Sequence, residues 1–136
     1  MAAKDTLGRR GEDLAVAWAQ EQGWSVLARN WRGERGEIDV VARDGDCLVV
    51  LEVKTRSSMV LGGPLAAVTP RKLARLRLLT GEWLARADEA GSSEAQGTGG
   101  RARGRGGGPS DVRIDVLGIL WPDGSEPRLV HVRGAG

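Results

Sequence analysis

The sequence predicts a mixed α/β sandwich whose elements follow in the order helix, three strands, helix, two strands. Two long segments repeat apolar residues at the three- and four-residue spacing of a helix, and five shorter apolar segments are bounded by turn residues, as strands are. A single helix interrupts the strands, so the pattern differs from a regular alternation of strands and helices. At 136 residues, 40% of them hydrophobic, the chain has the size and composition of one globular domain with its own core.

The first half of the chain is predicted to form one helix and three strands. Leu7, Leu14 and Trp18 recur at helical spacing within residues 6–22, and Gly23 is a typical residue to end that helix. A polar stretch over 29–36 is expected to turn, and an Asp-Gly-Asp turn is expected between the last two strands. The strands themselves are predicted at residues 24–29, 37–43 and 48–55.

The second half is predicted to form a helix and two strands around an irregular segment. Thr69 is a good N-cap, Pro70 is favoured at the first helical position, and the apolar pattern continues to about Ala87. Residues 88–110 lose all periodicity and are rich in Gly, which predicts a disordered insertion. This insertion is either a solvated linker or an Arg-Gly tract that touches nucleic acid. The two strands are expected within residues 111–121 and 128–132.

Charge balance and cysteine content exclude some classes of protein. Twenty Lys and Arg residues oppose 18 Asp and Glu residues, a net charge of +2, so nucleic-acid binding would require basic residues gathered on one surface. The single Cys47 excludes an internal disulfide and a multi-cysteine zinc site. The N-terminal residues lack the apolar segment of a signal peptide, and no apolar run approaches the roughly 20 residues that span a bilayer. We therefore expect a cytoplasmic protein without a membrane partner.

The hairpin predicted after residue 36 carries charged residues where a half-buried strand needs apolar ones. Side chains two apart share one face of a strand, so Glu37 joins Asp39 and Glu52 joins Lys54. If the last two strands pair through a tight Asp-Gly-Asp turn, Asp39 lies opposite Glu52 and Glu37 opposite Lys54. A one-residue slip would turn one charged set into the core, so the apolar pattern supports this register. The apolar face is predicted to contain Ile38, Val40, Val49, Leu51 and Val53.

Two opposed carboxylates call for a cation between them. Like charges directly across a sheet are unfavourable, and Mg²⁺ or Mn²⁺ takes oxygen ligands such as Asp39 and Glu52 together with substrate phosphate. Lys54 is one of only three Lys residues among the 20 cations, so its amine is a candidate to contact a metal-bound water or a phosphate oxygen. The alternative is a solvated hairpin face on which Glu37 and Lys54 form a cross-strand ion pair.

The spacing of these residues resembles a nuclease signature. Asp39, followed after twelve residues by Glu52-Val53-Lys54, resembles the PD-(D/E)XK motif. The segments GRRGEDLA, RNWRGERGEIDVVARDGDCLVVLEVKTR, GGPLAAVTPRKLARL and DVRIDVLGI resemble the YraN family of small bacterial proteins, which are related in fold to archaeal Holliday-junction resolvases. The resemblance covers nearly the whole chain outside 88–110. It departs at Ile38, where the nuclease superfamily has a Pro that is not a ligand.

This resemblance implies a restriction-endonuclease-like core, in which a mixed sheet is flanked by helices. Asp39 and Glu52 would bind Mg²⁺ or Mn²⁺, and the Val53 carbonyl would be a further ligand. Glu12, on the first helix, would complete the metal site directly or through water. Lys54 would orient or activate the attacking water.

Basic residues around these acids are candidates to bind phosphates. The resemblance implies a phosphate contact for Lys72, at the start of the second helix. Neutralisation of phosphates by further Arg residues would give salt-sensitive binding independent of sequence. The candidates are Arg9, Arg10, Arg56, Arg71 and Arg75, with Arg56 the strongest because it follows the motif directly. For any one of them taken singly, a solvated surface charge is the favoured interpretation.

Several other residues allow more than one interpretation. Gly11 beside Glu12 should weaken the first helix, which fits either the close approach of a phosphate backbone or a helix that begins later. Trp31, in the predicted turn, is a weak candidate for stacking on a base. His131 and Cys47 are expected to be structural.

The leading hypothesis is a metal-dependent, endonuclease-like phosphodiesterase that hydrolyses DNA, with branched or flap structures as candidate substrates. A homodimer would allow two paired cuts, as in the related resolvases. The alternatives are a non-catalytic nucleic-acid-binding module, which binds DNA without forming products, and an adaptor that binds neither metal nor nucleic acid.

Overall fold

A computed structural model describes residues 3–98 and 109–136, and in these ranges it contains two helices and five strands. The elements are α1 (Ala3–Glu21), β1 (Ser25–Gly33), β2 (Gly36–Asp44), β3 (Cys47–Arg56), α2 (Pro70–Thr98), β4 (Asp111–Leu120) and β5 (Arg128–Val132). Two short 3₁₀ turns, Val60–Gly62 and Leu65–Ala67, lie between β3 and α2. The predicted α/β class and order of elements are confirmed. No helix within the described ranges is long and apolar enough to cross a membrane.

The five strands form one mixed sheet in the order β1-β2-β3-β4-β5. Neighbouring strands are antiparallel except β3 and β4, which are parallel and are connected through α2, because parallel neighbours need a crossover. One core cluster packs beneath α1 around Ala15 and Ala19, and a second packs beneath α2 around Leu76 and Leu79. Both faces of the sheet are therefore covered by helices.

The predicted register of the β2–β3 hairpin is confirmed over residues 40–44 and 47–51. The ladder does not extend to the predicted pairs of Asp39 with Glu52 and Glu37 with Lys54, and the predicted solvent-exposed face is wrong. The ladder ends with Val40 opposite Leu51, as the tight Asp-Gly-Asp turn predicts. These two residues pack beneath α1, whereas Ile38 packs beneath α2 and does not share their face. Because α2 covers the other face, Glu52 is only 4% exposed rather than solvated.

The first strand is longer than predicted. The polar stretch over 29–36 predicts a turn, yet β1 continues to Gly33, and only residues 34–35 connect it to β2. The reason lies in packing: Trp31 stacks edge-to-face on Trp83 of α2, with 5.4 Å between the ring centroids. Burial of an aromatic ring on the sheet outweighs the turn preference of the surrounding polar residues.

Helix α2 begins where predicted and ends later. The Lys72 N–H donates to Thr69 Oγ1 at 3.2 Å, which confirms Thr69 as the N-cap. The helix continues to Thr98, so residues 88–98 are helical although the sequence predicts no periodic structure there. Ala and Glu, both good helix formers, recur in this stretch and compensate for its Gly residues. The rest of the predicted insertion, 99–108, lies outside the described residues.

Candidate active site

The structure brings the carboxylates of Asp39 and Glu52 together where the paired ladder of β2 and β3 ends. The backbone N–H of Val53 donates to Asp39 Oδ2 at 2.8 Å, which ties the Asp39 carboxylate to β3 beside Glu52. Asp39 is half-buried, and the Glu52 side chain is almost fully buried. The predicted juxtaposition of the two acids therefore exists, although it faces a helix and not solvent.

This pair of acids carries unfavourable negative charge. Burial first, and the charge of Glu52 second, raise the pKa of Asp39 from its ordinary value of 3.8 to about 8. The Val53 N–H and the Lys72 ammonium act in the opposite direction, and the Glu12 carboxylate adds to the rise. In the chain without a bound cation, Asp39 is therefore largely protonated at neutral pH.

Lys72 contacts one of the two acids directly. Its Nζ lies 3.0 Å from Glu52 Oε2, and the side chains are 32% and 5% exposed respectively. Lys72 reaches this position because it is the third residue of α2, and the Thr69 cap holds its backbone N–H. The resemblance implies a phosphate contact for Lys72, whereas in the structure its ammonium is bound to Glu52.

Lys54 lies on the same strand as Glu52, two residues further on, and is half-buried. Burial lowers the pKa of Lys54, and the positive charges of Arg56 and Lys72 lower it further. Within the part of the chain that the structure describes, the Lys54 side chain makes no hydrogen bond or ion pair. Its amine is therefore available to a group that enters the site.

Glu12 approaches the site from α1. Burial raises the pKa of Glu12, and a hydrogen bond from the Asn30 side chain opposes the rise. The approach depends on Gly11, because a side chain there would collide with Thr55 of β3. Gly11 thus serves close packing of helix on strand. The late helix start suggested by the sequence is wrong, since α1 already begins at Ala3. The close approach of a phosphate backbone stays a prediction.

The donors present suit a hard divalent cation of the kind that binds through one or two carboxylates together with substrate phosphate. Asp39, Glu52 and the Val53 carbonyl offer oxygen atoms, the ligands that Mg²⁺ and Mn²⁺ prefer. Burial first, and the Glu52 charge second, raise the pKa of Asp39, so a bound cation would stabilise the ionised form of its carboxyl group. Among residues 6–89 and 109–136, however, no three His, Cys, Asp or Glu side chains are close enough to hold a metal together. Glu12 therefore does not form a three-carboxylate cluster with the pair.

The predicted phosphate-binding Arg residues fall into two groups. Arg56 ends β3 close to Lys54, and Arg71 is exposed in the first turn of α2. Arg9 and Arg10 lie on α1, where the Arg10 guanidinium is 4.2 Å from the centre of the Trp121 ring. Arg56 and Arg71 therefore adjoin the site along β3 and α2, whereas Arg9 and Arg10 lie on the other helix, α1.

Other candidates have structural roles. Glu37 pairs with Arg32 of β1 at 2.9 Å, so the cross-strand pair with Lys54 does not form. Trp31 is partly buried and packs against the cluster beneath α2 and edge-to-face on Trp83. Cys47 packs against the cluster beneath α1, and His131 Nε2 lies 2.7 Å from the buried Asp115, as structural residues would.

Sequence reasoning missed Asn30. This residue has a φ of 49°, in the left-handed region, and lies on β1 between the pairs that flank Asp39 on β2. The conformation directs its side chain to Glu12. The residue type alone could have pointed to this conformation, because Asn tolerates the left-handed region better than most residues do.

Comparison with known proteins identifies relatives over the whole length of the chain. Residues 11–119 match the family model described as uncharacterised protein family UPF0102. A UPF0102 protein of Kineococcus radiotolerans is 50% identical over 132 residues, which cover 97% of this chain and 94% of that protein. A UPF0102 protein of Beutenbergia cavernae is 45% identical over 136 residues, which cover both chains completely. Neither the family description nor these names state an activity.

Proposed function

The chain belongs to the uncharacterised protein family UPF0102, and we propose that it is a metal-dependent phosphodiesterase that hydrolyses DNA. The observation that carries the proposal is the pair of carboxylates, Asp39 and Glu52, held together at the end of a hairpin next to Lys54. Two acids and an amine in this order along the chain also account for the resemblance to the PD-(D/E)XK signature.

Each residue of the site has a distinct part in this proposal. Asp39, Glu52 and the Val53 carbonyl would hold Mg²⁺ or Mn²⁺, with Glu12 in reach through a water. When bound, the ion would reduce the negative charge of the scissile phosphate and lower the pKa of a water molecule. Lys54 would donate a hydrogen bond to the attacking water or to a phosphate oxygen, since its amine has no side-chain partner in the described part of the chain.

Basic residues next to the site support a nucleic-acid substrate. No Asp or Glu occurs between Glu52 and Glu82, an interval in which six cations occur. Among these, Arg56 and Arg71 would neutralise phosphates next to the scissile one. Branched or flap DNA is the proposed substrate, and a homodimer would permit two paired cuts.

A cleavage assay tests this proposal. The purified chain would be incubated with labelled duplex, flap and branched DNA in Mg²⁺, in Mn²⁺ and in EDTA. We expect products only with a divalent metal, and a rate at least about 100-fold lower for Asp39→Asn, because several kcal/mol of charge stabilisation are lost. The matched control is Asp46→Asn, which removes a 67% exposed carboxylate from the turn of the same hairpin and should cleave normally. Full cleavage by Asp39→Asn would contradict the proposal.

One observation favours a second candidate, a nucleic-acid-binding module without turnover. Lys72 already supplies a positive charge to Glu52, so the site contains an internal cation where a metal would otherwise be needed. This candidate predicts salt-dependent DNA binding but no heat of Mn²⁺ binding. Calorimetric titration of Mn²⁺ into wild type and Asp39→Ala separates the two: heat that disappears in the variant supports the enzyme, and no heat in either protein supports the binding module.

A further inference from the structure

The loop between β3 and α2 exposes three consecutive large apolar side chains. Met59, Val60 and Leu61 are 59%, 70% and 93% exposed. Both ends of the loop are at the site, because β3 carries Glu52 and Lys54 and the first turn of α2 carries Lys72. Large apolar side chains are normally buried, because their removal from water stabilises the folded state. An exposed apolar tip next to a charged site therefore calls for an explanation.

The tip of the loop is a tight turn with three consecutive residues in the left-handed region. Leu61 has a φ of 61°, in the left-handed region, and Gly62 and Gly63 follow with φ of 92° and 78°. The Gly62 N–H donates to the Met59 carbonyl at 3.0 Å, which closes the turn. The left-handed region is unfavourable for a Leu residue, because its Cβ comes too close to the backbone. In this conformation the Leu61 side chain points outward from the turn.

The base of the loop is anchored to the sheet. Gly63 and Pro64 are buried, and Leu65 packs over Gly118 of β4, where a Cβ would come within 2.9 Å of the Leu65 side chain. Gly118 pairs with Lys54 in the parallel ladder. The loop is therefore fixed beside the candidate active site while its tip is exposed.

The charge around the tip identifies the kind of partner. The interval between Glu52 and Glu82 contains cations and no acids, so a polyanion is favoured on both sides of the loop. The cations are Lys54, Arg56, Arg71, Lys72, Arg75 and Arg77. Arg71 lies in the first turn of α2, where the helix dipole disfavours positive charge unless an anion is near, whereas its neighbour Lys72 already has Glu52 as its anion. A nucleic acid combines such a polyanionic backbone with apolar base faces.

We propose that Met59, Val60 and Leu61 form an apolar wedge that inserts against the bases of a nucleic acid whose phosphates lie on Arg56 and Arg71. Apolar side chains that enter a base step unstack it and kink the duplex, and they do so most easily where pairing is already weak. The wedge would open the strand beside the scissile phosphate and so select mismatched, branched or flapped DNA. This inference rests on the proposed nucleic-acid function, but it requires only binding and not hydrolysis.

Base unstacking measured without metal tests the wedge. A duplex of about 20 base pairs, with 2-aminopurine beside a mismatch, would be titrated with the full chain in EDTA, so that no cleavage occurs. We expect wild-type binding to raise the 2-aminopurine fluorescence and Leu61→Asn to lose most of that rise, because Asn keeps the left-handed backbone but not the apolar side chain. Affinity for the mismatched duplex should fall about threefold to tenfold, and affinity for a perfect duplex should stay within about twofold.

A Leu substitution away from the loop is the control for the wedge. Leu27→Asn makes the same change at a 46% exposed Leu on the edge strand β1 and should behave as wild type. Binding without a fluorescence rise, or an equal rise in Leu61→Asn, would overturn the wedge and leave the phosphodiesterase intact. A rise without cleavage in Mg²⁺ would instead uphold the wedge and count against the enzyme. Binding to anionic phospholipid vesicles that is lost in Leu61→Asn, with no binding to DNA, would overturn the wedge in favour of a membrane surface.

Discussion

Replacing Lys72 by Ala tests whether the site depends on its internal cation. In the structure the Lys72 ammonium lies 3.0 Å from a Glu52 carboxylate whose side chain is only 5% exposed. The second acid, Asp39, is close enough for its pKa to respond to the Glu52 charge. Without Lys72, the buried Glu52 carboxylate would lie beside Asp39 and lack its positive partner. Removal of one partner from a buried ion pair is strongly destabilising, because it leaves an uncompensated buried charge.

The expected loss follows from the geometry of the pair. At 3.0 Å the attraction is about 5 kcal/mol for an effective dielectric constant of about 20. The Lys72 side chain is 32% exposed, so water screens part of this attraction and hydrates the free ammonium. We therefore expect Lys72→Ala to lower the free energy of unfolding by about 2–3 kcal/mol, somewhat less than the loss of a fully buried partner.

Urea unfolding in EDTA, followed by Trp fluorescence, measures this loss. Arg71→Ala is the matched control, because it removes the adjacent but exposed cation from the same turn, and it should change the stability by no more than about 0.5 kcal/mol. If the proposed metal site is correct, Mn²⁺ should restore part of the stability of Lys72→Ala, since a bound cation would replace the missing charge. Equal stability of Lys72→Ala and Arg71→Ala would refute the reasoning.

Three further predictions concern the packing and protonation of the fold. In EDTA the free energy of unfolding should decrease between about pH 4 and pH 8, because Asp39, with its pKa raised to about 8, binds a proton in the folded state that the unfolded chain has already lost. Thermal unfolding of Asp39→Asn should show a flatter decrease with pH. An unchanged slope would disprove the assignment to Asp39. Gly11→Ala should destabilise the protein by about 1–3 kcal/mol, because the new side chain overlaps Thr55. In urea unfolding, Thr55→Ala in the same chain should recover part of this loss. If the effects of the two substitutions on the free energy of unfolding simply add, the result would argue against the contact. Asp115→Asn should lower the free energy of unfolding by about 3 kcal/mol in the same assay, because this fully buried carboxylate contacts an Arg, a His and a backbone N–H. An unfolding midpoint equal to that of the wild type would show that the fold does not depend on these contacts.

Local patterns in the chain were sufficient for the order of elements and for the hairpin that carries the acids. The tight Asp-Gly-Asp turn sets the register, which places Val40 opposite Leu51 and so brings Asp39 near Glu52. Thr69 caps α2 because a hydroxyl followed by Pro is favoured at a helix start. These features depend on residues close together in sequence, so their periodicity and turn chemistry can be read directly.

The surroundings of the acids depended on contacts between distant parts of the chain. Helix α2 covers the second face of the sheet and so buries Glu52. The same packing brings Lys72 to Glu52, although the two residues are 20 positions apart in the sequence. No local pattern of residues predicts this pairing. The longer β1 likewise follows from the packing of Trp31 on α2, against the turn preference of its neighbours. Turn and strand signals therefore identified which residues the site contains. The packing of two helices onto one sheet decided their burial, charge balance and partners, because those properties arise only when distant segments exclude water from one another.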